Sequence, residues 1–294
     1  MRVFVTGATG FIGSAVVREL IDAGHQVLGL SRSDAGAEAL KAAGAEVQRG
    51  DLDNLESLKS GAAGADAVIH LAFIHDFSKF KENCEIDQRA IEAMGEALVG
   101  TNRPLIVTSG LGLLVEGRAA TEDDVPPPVS DFYPRGSEQA VGAFEKRGVK
   151  TMVVRLPQVH DTEKQGLVSY AIQIARQKGV AAYVGNGENH WAAAHRFDAA
   201  RLYRLALEKG YAGARFHAVA EEGVQMRQIA EAIGKGLKIP VVSLKPEEAA
   251  GHFGWLARFA GLDLKGSSAK TRRELGWKPS GPGLIEDLEK MRYA

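Results

Sequence analysis

The run Thr6-Gly7-Ala8-Thr9-Gly10-Phe11-Ile12-Gly13 constrains this 294-residue chain more than any other. It follows directly on the apolar stretch Val3-Phe4-Val5 and opens the helical periodicity of Ile12 to Ala23. Between a strand and a helix, each glycine answers a separate steric demand. Gly7 permits the tight turn, Gly10 lets backbone approach an outside group closely, and Gly13 lets the helix pack on the strand. The free amides of the helix start carry partial positive charge, so the turn suits a pyrophosphate.

Short apolar runs at Val27–Leu30, Ala67–Leu71 and Leu105–Val107 alternate with helical patterns at 35–43, 55–62 and 80–99. Gly24 and Gly44 stand where helix-ending glycines belong. Strands and helices alternating in this way imply parallel pairing with right-handed crossovers. Residues 1–160 are therefore expected to form a doubly wound α/β Rossmann sheet. Gly110 to Pro134, with Pro126-Pro127-Pro128, reads as a long loop, either a solvated linker or a wall of a substrate cleft. A helix over 136–146 and a strand over 151–155 then return to the sheet. Beyond Pro157 the spacing predicts helices at 167–177, 197–208, 226–235 and 246–259. A strand at Arg215–Val219, within 213–220, rejoins the sheet, whereas His190, Trp191 and His195 fall in a loop before a helix. Residues 161–294 are read as a smaller mixed region that mainly binds substrate. Trp191, Phe253, Trp255 and Phe259 serve its core or face an apolar substrate.

The formal net charge is -1, with no long run of one sign, which argues against nucleic acid or an anionic membrane as partner. Cys84 is the single cysteine, so neither an internal disulfide nor a cysteine-based metal site can form. No other metal-ligand spacing is present. Met1 leads straight into an apolar strand without the shape of a signal peptide, and no window is apolar enough to span a bilayer, so a cytoplasmic location is expected.

At the end of the second predicted strand stand Ser31-Arg32-Ser33, where a site for NAD would usually carry a carboxylate for the ribose hydroxyl. A guanidinium flanked by hydroxyls suits an additional 2′-phosphate, and charge-assisted hydrogen bonds contribute about 1.5–3 kcal/mol. NADP(H) is the expected cofactor.

On these positions the sequence resembles the extended and atypical short-chain dehydrogenase/reductases, including the NAD-dependent epimerase/dehydratase group. Residues Thr6–Gly13 match the family's TGxxGxxG. Gly50-Asp51-Leu52 is similar to the segment flanking the adenine, and His70-Leu71-Ala72 to the strand end beneath the dinucleotide. Arg155-Leu156-Pro157-Gln158-Val159-His160 looks like R-x-P-x-V-Y-G, which passes the nicotinamide. His195–Ala200 is similar to the V-H-V-x-D-x-A helix start. The resemblance implies cofactor contacts from Gly7, Thr9, Gly10, Phe11, Ile12, Gly13, Ser31, Arg32, Ser33, Asp51, Leu52, Leu71, Ala72, Thr108, Pro157 and Val159. It also implies a homodimer through the helices of 80–99 and 136–146.

The family's Ser and Tyr-x-x-x-Lys are absent in regular form. The matching stretch reads Phe132-Tyr133-Pro134-Arg135-Gly136-Ser137-Glu138, which offers no tyrosine–lysine pair in either register. Ser109 and Gly110 compete for the family's serine position. Without a neighbouring ammonium a phenol stays near its ordinary pKa of about 10, and Glu138 would push it higher. Such a group can donate a proton to a carbonyl under reduction but is a poor base for oxidising an alcohol. Tyr133, His160, His75 (beside Asp76) and Ser109 are the candidates for the proton-handling role, and His195 reads as a helix-start residue. The expected activity is NADPH-dependent reduction of a carbonyl on a small or medium uncharged molecule, since no arginine pair for an acidic substrate is evident. The alternatives are a non-catalytic NADP(H)-binding sensor and a nucleotide-sugar epimerase or dehydratase.

Overall fold

A computed structural model describes residues 1–293. Strands β1 (Arg2–Thr6), β2 (Gln26–Ser31), β3 (Glu46–Arg49), β4 (Ala67–His70), β5 (Pro104–Gly110) and β6 (Lys150–Leu156) build the main sheet. After β7 (Gln158–His160), β8 (Ala181–Val184) and β9 (His190–His195), strand β10 (Ala214–His217) completes it. The seven strands are all parallel, in the order β10-β6-β5-β4-β1-β2-β3. The doubly wound α/β sheet is thus present as expected. Strand order reverses between β1 and β4, so the crevice for a ligand opens at the C-terminal ends of those two strands.

Helices α1 (Phe11–Asp22) and α7 (Arg196–Lys209) cover one face of the sheet, burying Val16, Leu20, Leu202 and Tyr203 against Val3, Val5 and Val154. Helix α2 (Asp34–Ala42) lies beside β2 and β3. Helices α3 (Leu55–Ala63), α4 (Phe80–Leu98) and α5 (Ser137–Gly142) cover the other face around Phe4, Val68 and Val107. Amphipathic spacing explains these helices, because their buried residues recur three and four positions apart. No helix among the described residues is long and apolar enough to cross a membrane.

The remaining elements are α6 (Val168–Lys178), α8 (Met226–Leu237), α9 (Ala249–Phe253), α10 (Ala257–Ala260), α11 (Ala269–Leu275) and α12 (Leu284–Lys290), with β11 (Glu221–Gln225) and β12 (Val241–Leu244). Apart from α11, whose Leu275 packs into the first core, they form a second core that includes Trp191, Ile229 and Phe253. Sheets β11-β9-β7 and β12-β8 belong to this part.

Three expectations change here. His190–His195 is a strand, not a loop: its alanine-rich sequence has weak strand preference, but pairing with β7 and β11 satisfies its backbone. The helix predicted over 246–259 is broken, with Gly254 at φ +56° separating α9 from the following turn and α10. Helix α5 stops at Gly142, short of 146. The stretch 110–134 is irregular as expected, but it is tied down. Asp124 carbonyl accepts from Arg155 at 2.7 Å, and the buried Glu122 carboxylate accepts from Thr271 N and Oγ1, each at 2.7 Å.

Arg155 is fully buried and makes two 2.8 Å bonds to Glu138. It also donates to His217 Nε2 at 3.2 Å, while His217 Nδ1 donates to the Ser267 carbonyl at 2.8 Å. His217 is therefore held neutral: burial and then the Arg155 charge lower its pKa from 6.5 to about 4. Folding then binds fewer protons than the unfolded chain between these values, so stability falls as pH drops through that window. Chemical denaturation at a series of pH values should show a loss of roughly 2–3 kcal/mol between pH 7 and pH 4.5 from this residue. His217→Gln should flatten that slope, and an unchanged slope would contradict the assignment. In the glycine turn, a Cβ on Gly13 would lie 1.9 Å from the Gly7 carbonyl oxygen. Gly13→Ala should therefore cost about 3 kcal/mol and lower Tm by roughly 6–12 °C in a thermal melt.

Candidate active site

Gly7 takes φ +65°, and a Cβ there would come within 2.7 Å of the Ala72 amide nitrogen. The turn is pressed against the end of β4 so closely that only glycine fits. Thr6 Oγ1 fastens the two strand ends, accepting from Leu71 and Ala72 amides at 3.2 Å each. On the opposite side Gly10 is open: a Cβ there would meet only the Gly7 carbonyl, at 3.1 Å. Gly10 caps α1 without any side-chain hydrogen bond, leaving first-turn amides free of a protein partner. Thr9 is exposed beside this opening, and Phe11 and Ile12 are half-buried. The cradle fits a dinucleotide pyrophosphate.

At the end of β2, Ser31 is buried and its hydroxyl donates to the Ser33 carbonyl at 3.0 Å. Ser33 Oγ caps α2 by accepting from the Gly36 amide at 3.1 Å. Arg32 is exposed and makes no ion pair among the described residues. A second guanidinium, Arg49, donates to the Ser33 carbonyl at 2.6 Å and to Asp34 at 2.5 Å. The sequence reading missed Arg49. Its signal was the parallel register of β2 and β3, which sets Arg49 beside Ser31. Asp51 is exposed and turns the chain into α3, accepting from Asp53 and Asn54 amides at 3.0 and 2.9 Å, while Leu52 packs against the core beneath.

At the ends of β4 and β5 lies a buried polar chain that sequence patterns did not reveal. Thr6 Oγ1 donates to His70 Nδ1 at 2.7 Å, and His70 Nε2 donates to Asp87 at 3.1 Å. Asp87 also accepts from Ser137 Oγ at 2.5 Å, and Ser137 Oγ accepts from Arg135 Nε at 3.1 Å. Arg135 then donates to the Thr108 carbonyl at 3.0 Å. Burial opposes charge on Asp87, yet His70 and Arg135 hold its carboxyl below the ordinary range. Thr108 Oγ1 donates to the His70 carbonyl at 2.7 Å and shares a 2.6 Å bond with the buried Tyr203 hydroxyl.

Among the proton-handling candidates, Tyr133 is buried, two residues before Arg135, and its hydroxyl makes no hydrogen bond among the described residues. Burial and then the Glu138 charge raise its pKa above the ordinary 10, while Arg135 pulls it down. Glu138 is occupied by Arg155 and Arg215, so it serves the loop rather than the tyrosine. Ser109 is buried on β5 next to the carbonyl that anchors Arg135. His75 lies at the surface of the loop after β4, its Nδ1 donating to the Phe73 carbonyl at 3.1 Å. The surrounding protein and then Arg135 lower its pKa. His160 lies apart from this group. It is fully buried, bonded through Nδ1 to Asp287 at 2.7 Å, and clasps α12 to β7. His195 caps α7 by accepting from the Phe197 amide at 3.4 Å, as its place in the sequence implied. Pro157 and the buried Val159 follow the end of β6.

An aromatic wall closes over the β4 end. Trp255 stacks on Phe77 with centroids 4.3 Å apart, and Tyr170 meets both rings edge-on at 5.8 and 5.0 Å. Phe73 carries the Arg135 guanidinium 4.4 Å above its ring. A surface concavity lies elsewhere, between α4 and α5, lined by Glu92, Glu96, Ala143, Phe144 and Arg147. Among the described residues no cluster of His, Cys, Asp or Glu is arranged to hold a metal.

Comparison with known proteins agrees with this architecture. An uncharacterized protein of Schizosaccharomyces pombe is 49% identical over the full length of both chains. The decarboxylating sterol-4-alpha-carboxylate 3-dehydrogenase of Dictyostelium discoideum is 28% identical, covering 77% of this chain and 74% of that one. The dTDP-glucose 4,6-dehydratase DesIV of Streptomyces venezuelae, solved with NAD and TYD bound, has the same fold. Its TM-score is 0.76 at 21% identity, covering 100% of this chain and 96% of the other. The sequence profile of the NAD dependent epimerase/dehydratase family matches residues 3–219, which takes in the glycine turn, the polar chain and every strand of the main sheet. This chain therefore belongs to the NAD dependent epimerase/dehydratase family.

Proposed function

We propose that the chain is an NADPH-dependent reductase acting on the carbonyl group of a small or medium-sized molecule. The observation that carries this reading is Arg135. Its guanidinium is fastened to the β5 end and to the Asp87 chain, two residues past Tyr133, in the stretch where the family's lysine is missing. Arg135 keeps a fixed positive charge beside the phenol, and its electrostatic influence reaches Tyr133, His75 and Asp87 alike. A guanidinium cannot lose its proton near neutral pH, so it orients and stabilises without relaying.

A bound reduced nicotinamide would supply the hydride, and the residues of this chain would position the carbonyl and complete the charge balance. Tyr133 is the proposed proton donor at the carbonyl oxygen, with Ser109 as a second hydroxyl at that oxygen. Tyr133 stays protonated near neutral pH because burial and Glu138 outweigh Arg135. A protonated phenol favours reduction, whereas epimerases and dehydratases that begin by oxidising need the phenolate. That difference supports a reductase over a sugar-nucleotide enzyme. The Dictyostelium relative is likewise named for an oxidoreductase activity, as a 3-dehydrogenase. Arg32 and Arg49, flanking Ser33, are the proposed seat of the 2′-phosphate. His160 we assign to holding α12.

The reading is tested by following oxidation of NADPH with a panel of ketones. Tyr133→Phe should lower kcat about 10²–10⁴-fold with the dinucleotide still bound. Undiminished turnover in that variant would remove Tyr133 from the role. In a binding titration, Arg32→Ala should weaken NADPH about 10- to 100-fold and leave NADH nearly unchanged. Equal losses for both forms would overturn the assignment of the 2′-phosphate seat.

A further inference from the structure

Arg258, on α10, is a cation without a counter-ion. Its Nε and one terminal nitrogen are buried with no hydrogen-bond partner, and no carboxylate among the described residues pairs with it. Burying a guanidinium in this way is unfavourable unless something completes its hydrogen bonds. The guanidinium lies 4.8 Å over the Phe132 ring and 5.8 Å from that of Phe259.

Its place in the fold says what could complete it. Phe132 directly precedes Tyr133, so Arg258 stands over the loop that carries the proposed proton donor. Trp255, one turn earlier, stacks on Phe77 of the loop that leaves β4. The segment from Trp255 to Arg258 thus touches both loops that issue from the ends of β4 and β5. Both Arg135 and Arg258 act electrostatically on the buried Cys84 thiol, opposing part of the burial that raises its pKa. Arg135 has its partners in Ser137 and Thr108, and Arg258 has none.

We propose that Arg258 binds a carboxylate on the substrate, so that the reduced carbonyl belongs to an oxo acid whose apolar chain lies along Phe77, Trp255 and Phe132. A planar guanidinium offers two parallel N–H donors that match the two oxygens of a carboxylate. The proposal rests on the reductase reading and replaces the uncharged substrate expected from the sequence. That expectation arose because Arg135 and Arg258 stand 123 positions apart in the chain and form no visible motif.

The test compares oxo acids, with the ketone at successive distances from the carboxylate, against their methyl esters, with NADPH as reductant. Wild type should prefer an acid over its ester. Arg258→Met should raise KM for the acid about 10- to 100-fold and leave kinetics of the ester within about threefold. Arg258→Lys should recover part of the preference by keeping the charge. Equal losses for acid and ester would show that Arg258 merely braces the loops, and a preference for the ester in wild type would equally overturn the proposal. A second readout does not depend on turnover. Trp255 is 39% exposed, whereas Trp191 and Trp277 are 0% and 1% exposed, so acrylamide quenching reports chiefly on Trp255. Saturation with a non-reducible alkyl carboxylate should protect Trp255 in wild type and not in Arg258→Met. If no ketone is reduced yet this protection appears, the reductase reading fails and the anion site stands. If ketones are reduced but neither protection nor acid preference appears, the anion site fails and the reductase reading stands.

Discussion

A buried carboxylate, Asp87, organises the end of the sheet where the candidate site lies. It sits in the middle of α4 at 1% exposure, a position almost never given to an unpaired acid. Its two oxygens are taken by His70 on β4 and Ser137 on α5. Through these it reaches the glycine turn by way of Thr6, and Arg135 by way of Ser137. A charge removed from water so completely persists only when its partners replace the lost hydration, and the geometry is then sharply specified. The strand ends that would hold a dinucleotide and the cation beside Tyr133 are consequently parts of one hydrogen-bonded unit.

The same end of the sheet shows how a family pattern can be kept in outline and altered in substance. Glu138 stands where a lysine would in one register, and its carboxylate is taken by Arg155 and Arg215. Its charge fastens the stretch 119–124, because Arg155 also holds carbonyls of that stretch. Positive charge near the phenol comes instead from Arg135, which no sequence motif marks. Exchanging an ammonium for a guanidinium keeps a charge and removes a proton relay, which fits a donor tyrosine better than a base.

Much of this was legible beforehand. The strand–turn–helix at Thr6–Gly13 was read from three glycines; Gly7 and Gly13 have a steric reason in the fold, from the pressure of Gly7 on Ala72 to that of Gly13 on Gly7, and Gly10 leaves the turn open. Helices with a clean apolar stripe, such as α4 and α8, fell where periodicity put them. Strands β7, β9 and β11 were not legible, since they are short and one is largely alanine. They exist because neighbouring backbones pair with them. The polar chain was invisible for a related reason: Thr6, His70, Asp87 and the pair Arg135 and Ser137 come from four segments far apart in the sequence.

By itself, then, the sequence determined the local events: which segments turn, which coil, which must be buried, and that the first turn presents amides to an anion. Those outcomes depend on contacts between residues a few positions apart, where sterics and periodicity act directly. Tertiary structure alone decided which charges meet. The pairing of Glu138 with Arg155, the clasp of His160 on Asp287 and the unpartnered burial of Arg258 each depend on segments brought together from afar. Electrostatic interaction is set by distance and by exclusion of water, and neither is written in the order of residues.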